Sequence, residues 1–198
     1  MNALDRNPVY LPFKKQLCRT LGNAYGRQLW KEAGQYYACL LAEEPTLARQ
    51  KGAMVLPGVS LYAVLTKHGE DAEAILCSYG KKMGQKMAKA VHTMTSLPGI
   101  PDLIWKHIAA LTDTMSSASH GYERELVSEP PYMYGVNILS CPYHQLALKA
   151  GVPDAVHWIC AMDKEYMKGF CGIRYERSQA VSEGAPYCDY RLSRKETQ

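Results

Sequence analysis

Between Asp71 and Met94, apolar residues recur every three to four positions, at Ile75, Leu76, Tyr79, Met83, Met87, Val91 and Met94. That spacing predicts one long helix with a single buried stripe. Pro98 and Gly99 interrupt it, and Asp102 is placed to cap a second helix with Ile104, Ile108, Leu111 and Met115 on one face. Upstream, Leu11 to Ala42 predicts one or two further helices interrupted by Gly22, Gly26 and Gly34. From Glu43 to Gly58 the period is lost among Pro45, Gly52, Pro57 and Gly58, which reads as a loop or short linker. The first 130 residues are therefore expected to be helical.

After Pro130 and Pro131 the period changes to two. Tyr132, Tyr134, Val136 and Ile138 alternate with other residues, as in a strand with one buried face. Tyr143 to Ala150 predicts a short helix ended by Gly151, and Asp154 opens another that runs to about Lys168. Cys171 to Ser178 and Tyr187 to Ser193 alternate again, joined by a polar turn with Glu183, Gly184 and Pro186. The expected class is α+β: a largely helical N-terminal body, then a small antiparallel β-sheet with two intervening helices. Residues 1–60 are expected to form a helical arm and residues 61–198 an α+β domain, the two making one compact unit.

Composition narrows the function classes. An apolar fraction of 47% with 21% charged residues is that of an ordinary globular chain. The net charge of +4 is mild, and Lys81, Lys82, Lys86 and Lys89 share one predicted helix, so a solvated face is expected and no nucleic-acid partner. The longest apolar run, Tyr36 to Ala42, is too short for a membrane, and Met1 to Arg6 carries Asp5 and Arg6 where an export signal would be apolar. Cytoplasmic location and seven reduced cysteines follow as expectations. A homo-oligomer stays open.

Reduced cysteines are fillers, metal ligands or nucleophiles. Cys141 follows a strand and precedes Pro142, which suits the first position of a helix. A thiol at that N-cap faces the positive end of the helix dipole, which favours thiolate. His144 lies three residues on, and a thiolate beside an imidazole suffices for nucleophilic attack with proton transfer. A buried structural cysteine next to a core histidine is the competing reading. Cys160 and Asp163 share a helix face. In a regular strand Cys188 points to the core with Tyr190 and Leu192, whereas Asp189 points away with Tyr187 and Arg191. Zinc is disfavoured, since no Cys-x2-Cys pair exists and Cys141-x2-His144 stands alone; no metal and no cofactor are expected. The Gly80 to Lys86 stretch lacks the Gly-Lys-Ser/Thr ending of a phosphate loop. His92, His107 and His157 fall within helical patterns.

Cys141-Pro-Tyr-His144, the helix ending in Cys160-x2-Asp163, and Arg177 followed by Glu183-Gly184 and Cys188-Asp189-Tyr190-Arg191 resemble the L-2-amino-thiazoline-4-carboxylic acid hydrolase family. The helical portion from about Leu61 through Glu125 is similar as well. One departure stands out: family members often carry Thr-Leu where this chain has Ala180 and Val181. If that hydroxyl contacts substrate, substrate choice differs here. The resemblance implies hydrolysis of a cyclic amidine-like ring toward a carbamoyl-cysteine, with a small molecule as the substrate. On that reading Cys141 is the nucleophile, with Cys188 in reserve, and His144 is the general base and acid. Asp163 or Asp189 grips the amidinium, Arg174 or Arg177 binds the carboxylate, and Tyr143 contacts substrate. Arg174 and Arg177 lie on opposite strand faces, so only one is expected to bind it. A small-ligand binder, for which fourteen tyrosines and nine methionines supply lining, a metalloprotein, and a cofactor-free isomerase or lyase are the competing classes.

Overall fold

The computed structural model describes residues 2–43 and 52–195. The fold is α+β, as the sequence predicts. The helices are α1 (Leu11–Leu21), α2 (Asn23–Glu43), α3 (Gly52–Lys67), α4 (Ala72–Thr95), α5 (Ile100–Lys106), α6 (Ile108–Ser116), α7 (Pro142–Lys149) and α8 (His157–Tyr166). The strands are β1 (Glu123–Ser128), β2 (Met133–Ser140), β3 (Ile173–Glu176) and β4 (Cys188–Arg194). They form one antiparallel sheet in the order β1-β2-β4-β3. Among the described residues no helix is long and apolar enough to cross a membrane.

Two compact units can be drawn. The first runs through Tyr79 and adds Leu146–Trp158; the second is Gly80–Gln145 together with the chain from Ile159. Residue 60, where the helical arm is expected to end, lies within α3.

In the first unit, Gly22 adopts φ 89° and ends α1, while Gly26 and Gly34 continue inside α2 rather than interrupting it. Much of the expected loop before Gly58 is in fact the start of α3, with Pro57 inside the helix; residues 44–51 lie outside the described residues. The core gathers aromatic rings: Tyr10 meets Trp158 edge-on at 5.4 Å, and Phe13 lies 4.9 Å from Tyr79. Buried hydroxyls need acceptors, and Tyr10 donates to the Met54 carbonyl at 2.7 Å.

The second unit holds the sheet. Tyr134, Val136 and Ile138 of β2 present one buried face, with Cys188 and Leu192 of β4, Ile173 of β3, and Trp105 and Ile108 packed against them. β1 corrects the expectation of an all-helical stretch to residue 130. It is an edge strand, largely exposed, and its Glu123, Arg124 and Glu125 give no apolar alternation to read. Asp102 does not cap α5; Gly99 does, with φ 80°, and Asp102 lies in the first turn. The predicted second helix divides at His107 into α5 and α6, leaving Leu111 and Met115 exposed. The stripe on α4 is also displaced: Met87 and Met94 are exposed, whereas Gly84, Val91 and Thr95 are buried. Small residues win that face because α8 comes very close.

A Cβ on Gly84 would lie 2.3 Å from the Met162 carbonyl oxygen, an unyielding backbone atom. Gly84→Ala adds helix propensity worth about 1 kcal/mol. A net loss of about 1–3 kcal/mol from overpacking is nevertheless expected in urea denaturation. A raised unfolding midpoint would contradict this packing.

Candidate functional site

β2 delivers the chain directly to α7, and Cys141 stands between them. Its carbonyl accepts the Gln145 N–H at 3.0 Å, the first i→i+4 bond of α7, which makes Cys141 the N-cap. Its Sγ accepts the peptide N–H groups of His144 and Tyr143. The sulfur thus does what a capping side-chain oxygen does elsewhere. The electrostatic outcome differs from the expectation of a lowered pKa. Desolvation outweighs both N–H bonds, and the neighbouring Cys160 and Cys188 add to the cost of charge, so the thiol is pushed up to about 11.

Cys188 points into the core from β4, and the Val181 N–H donates to its Sγ at 3.3 Å. Burial raises this thiol too, against the pull of Val181 and of the Arg177 guanidinium. Cys160, on α8, lies with Sγ 3.5 Å from Ser182 Oγ. One turn on, Asp163 faces the end of β3. Arg177 Nη1 is 3.7 Å from Asp163 Oδ2, Arg177 Nη2 donates to the Cys160 carbonyl at 3.2 Å, and the Tyr175 hydroxyl donates to Asp163 Oδ2 at 3.3 Å. The Arg177 side chain is only 6% exposed, and its Nε is buried with no hydrogen-bond partner. Desolvation raises the Asp163 carboxyl more than Arg177 and Tyr175 lower it. Tyr122 and Tyr143 meet edge-on at 6.4 Å, and each hydroxyl is raised first by burial and then by Cys141.

The geometry thus brings together Cys141, Tyr143, Asp163, Arg177 and Cys188, with Cys160, Tyr122 and Tyr175 around them. Asp189 is set apart. Its carboxylate accepts the Ser178 N–H at 2.9 Å, the Ser178 hydroxyl at 2.6 Å and the Gln179 N–H at 2.8 Å. Against desolvation, which pushes it up, these bonds hold it below the usual carboxylate range. Asp189 therefore anchors the loop that carries Arg177 and Val181. Strand alternation separates Cys188 from Asp189, as their sequence positions imply. Arg174 is paired with Glu176 at 2.6 Å and is 65% exposed, away from Arg177. His144 reaches the Cys141 sulfur through its peptide N–H.

Tyr122 is not legible as a site residue because it stands just before β1, a strand without an apolar pattern, and Ser182 because it lies in what reads as a plain polar turn. Among the described residues no three His, Cys, Asp or Glu side chains are grouped as metal ligands.

With the geometry in hand, comparison with known proteins gives one family. The model described as L-2-amino-thiazoline-4-carboxylic acid hydrolase matches residues 48–192. Curated protein sequences give no significant match. Among solved structures, the Fe(II) unliganded H-NOX protein from K. algicida is similar at a TM-score of 0.39 and 8% identity, over 100% of this chain and 98% of that one.

The buried cap makes a prediction for the ligand-free protein. Alkylation of Cys141 by iodoacetamide, followed by peptide mass spectrometry, should rise about tenfold per pH unit from neutrality toward pH 11. The sign follows from the thiol's raised value: thiolate appears only as pH climbs through it. A rate that already plateaus below pH 8 would contradict the dominance of desolvation.

Proposed function

The chain belongs to the L-2-amino-thiazoline-4-carboxylic acid hydrolase family, and from that premise we propose that it opens a small cyclic amidine such as 2-aminothiazoline-4-carboxylate with Cys141 as nucleophile. The carrying observation is the Cys141 sulfur, capping α7 on two N–H bonds inside the cluster that also holds Asp163 and Arg177.

The substrate is cationic at its amidine and anionic at its carboxylate. Asp163 and Arg177 form a loose pair with complementary ends. A ligand bearing both charges satisfies each better than they satisfy each other, and Arg177 Nε is a donor in want of an acceptor. An amidinium held beside Cys141 also offsets the desolvation that keeps the thiol protonated, because a nearby opposite charge favours the ionised form. Activation is then tied to substrate binding.

The Cys141 proton passes to His144 as general base, and Sγ attacks the ring carbon between the nitrogens and the sulfur. The ring carbon–sulfur bond breaks, the departing sulfur takes the proton from His144, and an S-amidino-Cys141 intermediate remains. Water attacks that carbon, His144 takes its proton, and the Cys141 thiol leaves. One water is consumed and the product is a carbamoyl-cysteine. Tyr122 and Tyr143 flank the ring, and Cys160 and Cys188 keep the surroundings of Cys141 desolvated.

Mass-spectrometric assay of ring opening tests the assignment. Cys141→Ser should lower kcat by at least about a thousandfold, and Arg177→Lys should raise KM by about tenfold with a smaller effect on kcat. Cys188→Ala should stay within about tenfold of the wild-type kcat. Near-full turnover by Cys141→Ser, or its loss in Cys188→Ala alone, would overturn the role given to Cys141.

A further inference from the structure

Outside the cluster around Cys141, the thiol of Cys171 stands beside an imidazole. Cys171 lies in the turn before β3, where Gly172 adopts φ 72° and turns the chain into the strand. Its backbone is pinned, since the Cys171 N–H donates to Thr95 Oγ1 at 3.1 Å, and that hydroxyl bonds in turn to the Val91 carbonyl at 2.9 Å. This brings Cys171 Sγ to 3.2 Å from His92 Nδ1 and 3.8 Å from the His92 carbonyl oxygen. His92 is solvent-exposed and sits in the last turn of α4.

We propose that Cys171 and His92 form a second reactive dyad, a site for reversible S-thiolation by low-molecular-weight disulfides. His92 Nδ1 is placed to take the thiol proton. Cys141 is capped by two N–H groups within a cluster of thiols and aromatic rings, whereas half-buried Cys171 stands beside the exposed His92. A disulfide too bulky for the Cys141 cluster can therefore reach Cys171.

The exchange balances without a further oxidant. The Cys171 thiolate attacks one sulfur of the disulfide, the new S–S bond forms as the old one breaks, and the other sulfur leaves as thiolate and collects the proton held on His92. Added thiol reverses the step.

The test is incubation of the whole protein with glutathione disulfide, with modified cysteines mapped by peptide mass spectrometry over time. Cys39, exposed on α2, is the internal reference for a thiol at the surface. Cys171 should be modified about tenfold faster than Cys39, and His92→Gln should remove that advantage while leaving the Cys39 rate unchanged. Cys171→Ser should abolish the fast phase, and dithiothreitol should restore the unmodified mass. If Cys171 reacts no faster than Cys39, or if His92→Gln leaves its rate as it was, the dyad is not a reactive site. His92 is exposed, so that substitution leaves the fold intact and its result bears on the chemistry alone.

Discussion

The site depends on a guanidinium that has almost no contact with water. Arg177 cannot shed its charge, so burying it obliges the fold to surround it with acceptors. Two of them come from α8, the Cys160 carbonyl and the Asp163 carboxylate. That obligation fixes the end of β3 against α8. Asp189 then ties down the loop that follows by accepting three of its donors, and Val181 from the same loop donates to Cys188. A single buried charge thus organises α8, β3, β4 and the turn between the strands, and the Cys141 cap closes over the result. The one group left over is Arg177 Nε, and an unmet donor in a buried position is where a ligand acceptor is worth most.

Cys141 shows two opposed effects in one atom. The helix terminus favours its thiolate and burial disfavours it, and burial wins in the empty protein. A thiol held protonated in this way is a weak nucleophile at neutral pH. On the proposed function, a cation entering the same low-dielectric space makes it nucleophilic, so that chemistry and selectivity for an amidinium share one physical origin. Asp163, itself raised by burial, would gain from the same cation on that proposal.

Much of this could be read from the chain. The period-two runs gave β2, β3 and β4 because each has one wet face, and Pro142 after Cys141 marked the N-cap because only a helix start tolerates it there. Alternation alone sent Cys188 inward and Asp189 outward, and put Arg177 and Arg174 on opposite faces. What escaped was set by tertiary packing. β1 is an edge strand whose residues are mostly charged or exposed, so no pattern announces it. The buried face of α4 is built on Gly84 rather than on Met87 and Met94, because close approach to α8 rewards the absence of a side chain. The pKa of Cys141 escaped for a similar reason: a helix start is visible in sequence, but the desolvation that overrides it is not.

The proposed function requires a covalent bond between Cys141 and the ring carbon of the substrate. Rapid acid quench of the protein during turnover of 2-aminothiazoline-4-carboxylate, followed by mass spectrometry of the intact chain and its peptides, observes that bond directly. The expected result is a gain of one substrate mass, located on the peptide containing Cys141 and absent from Cys141→Ser. Turnover with no adduct at any quench time, or an adduct on Cys160 or Cys188 with Cys141 unmodified, would contradict it.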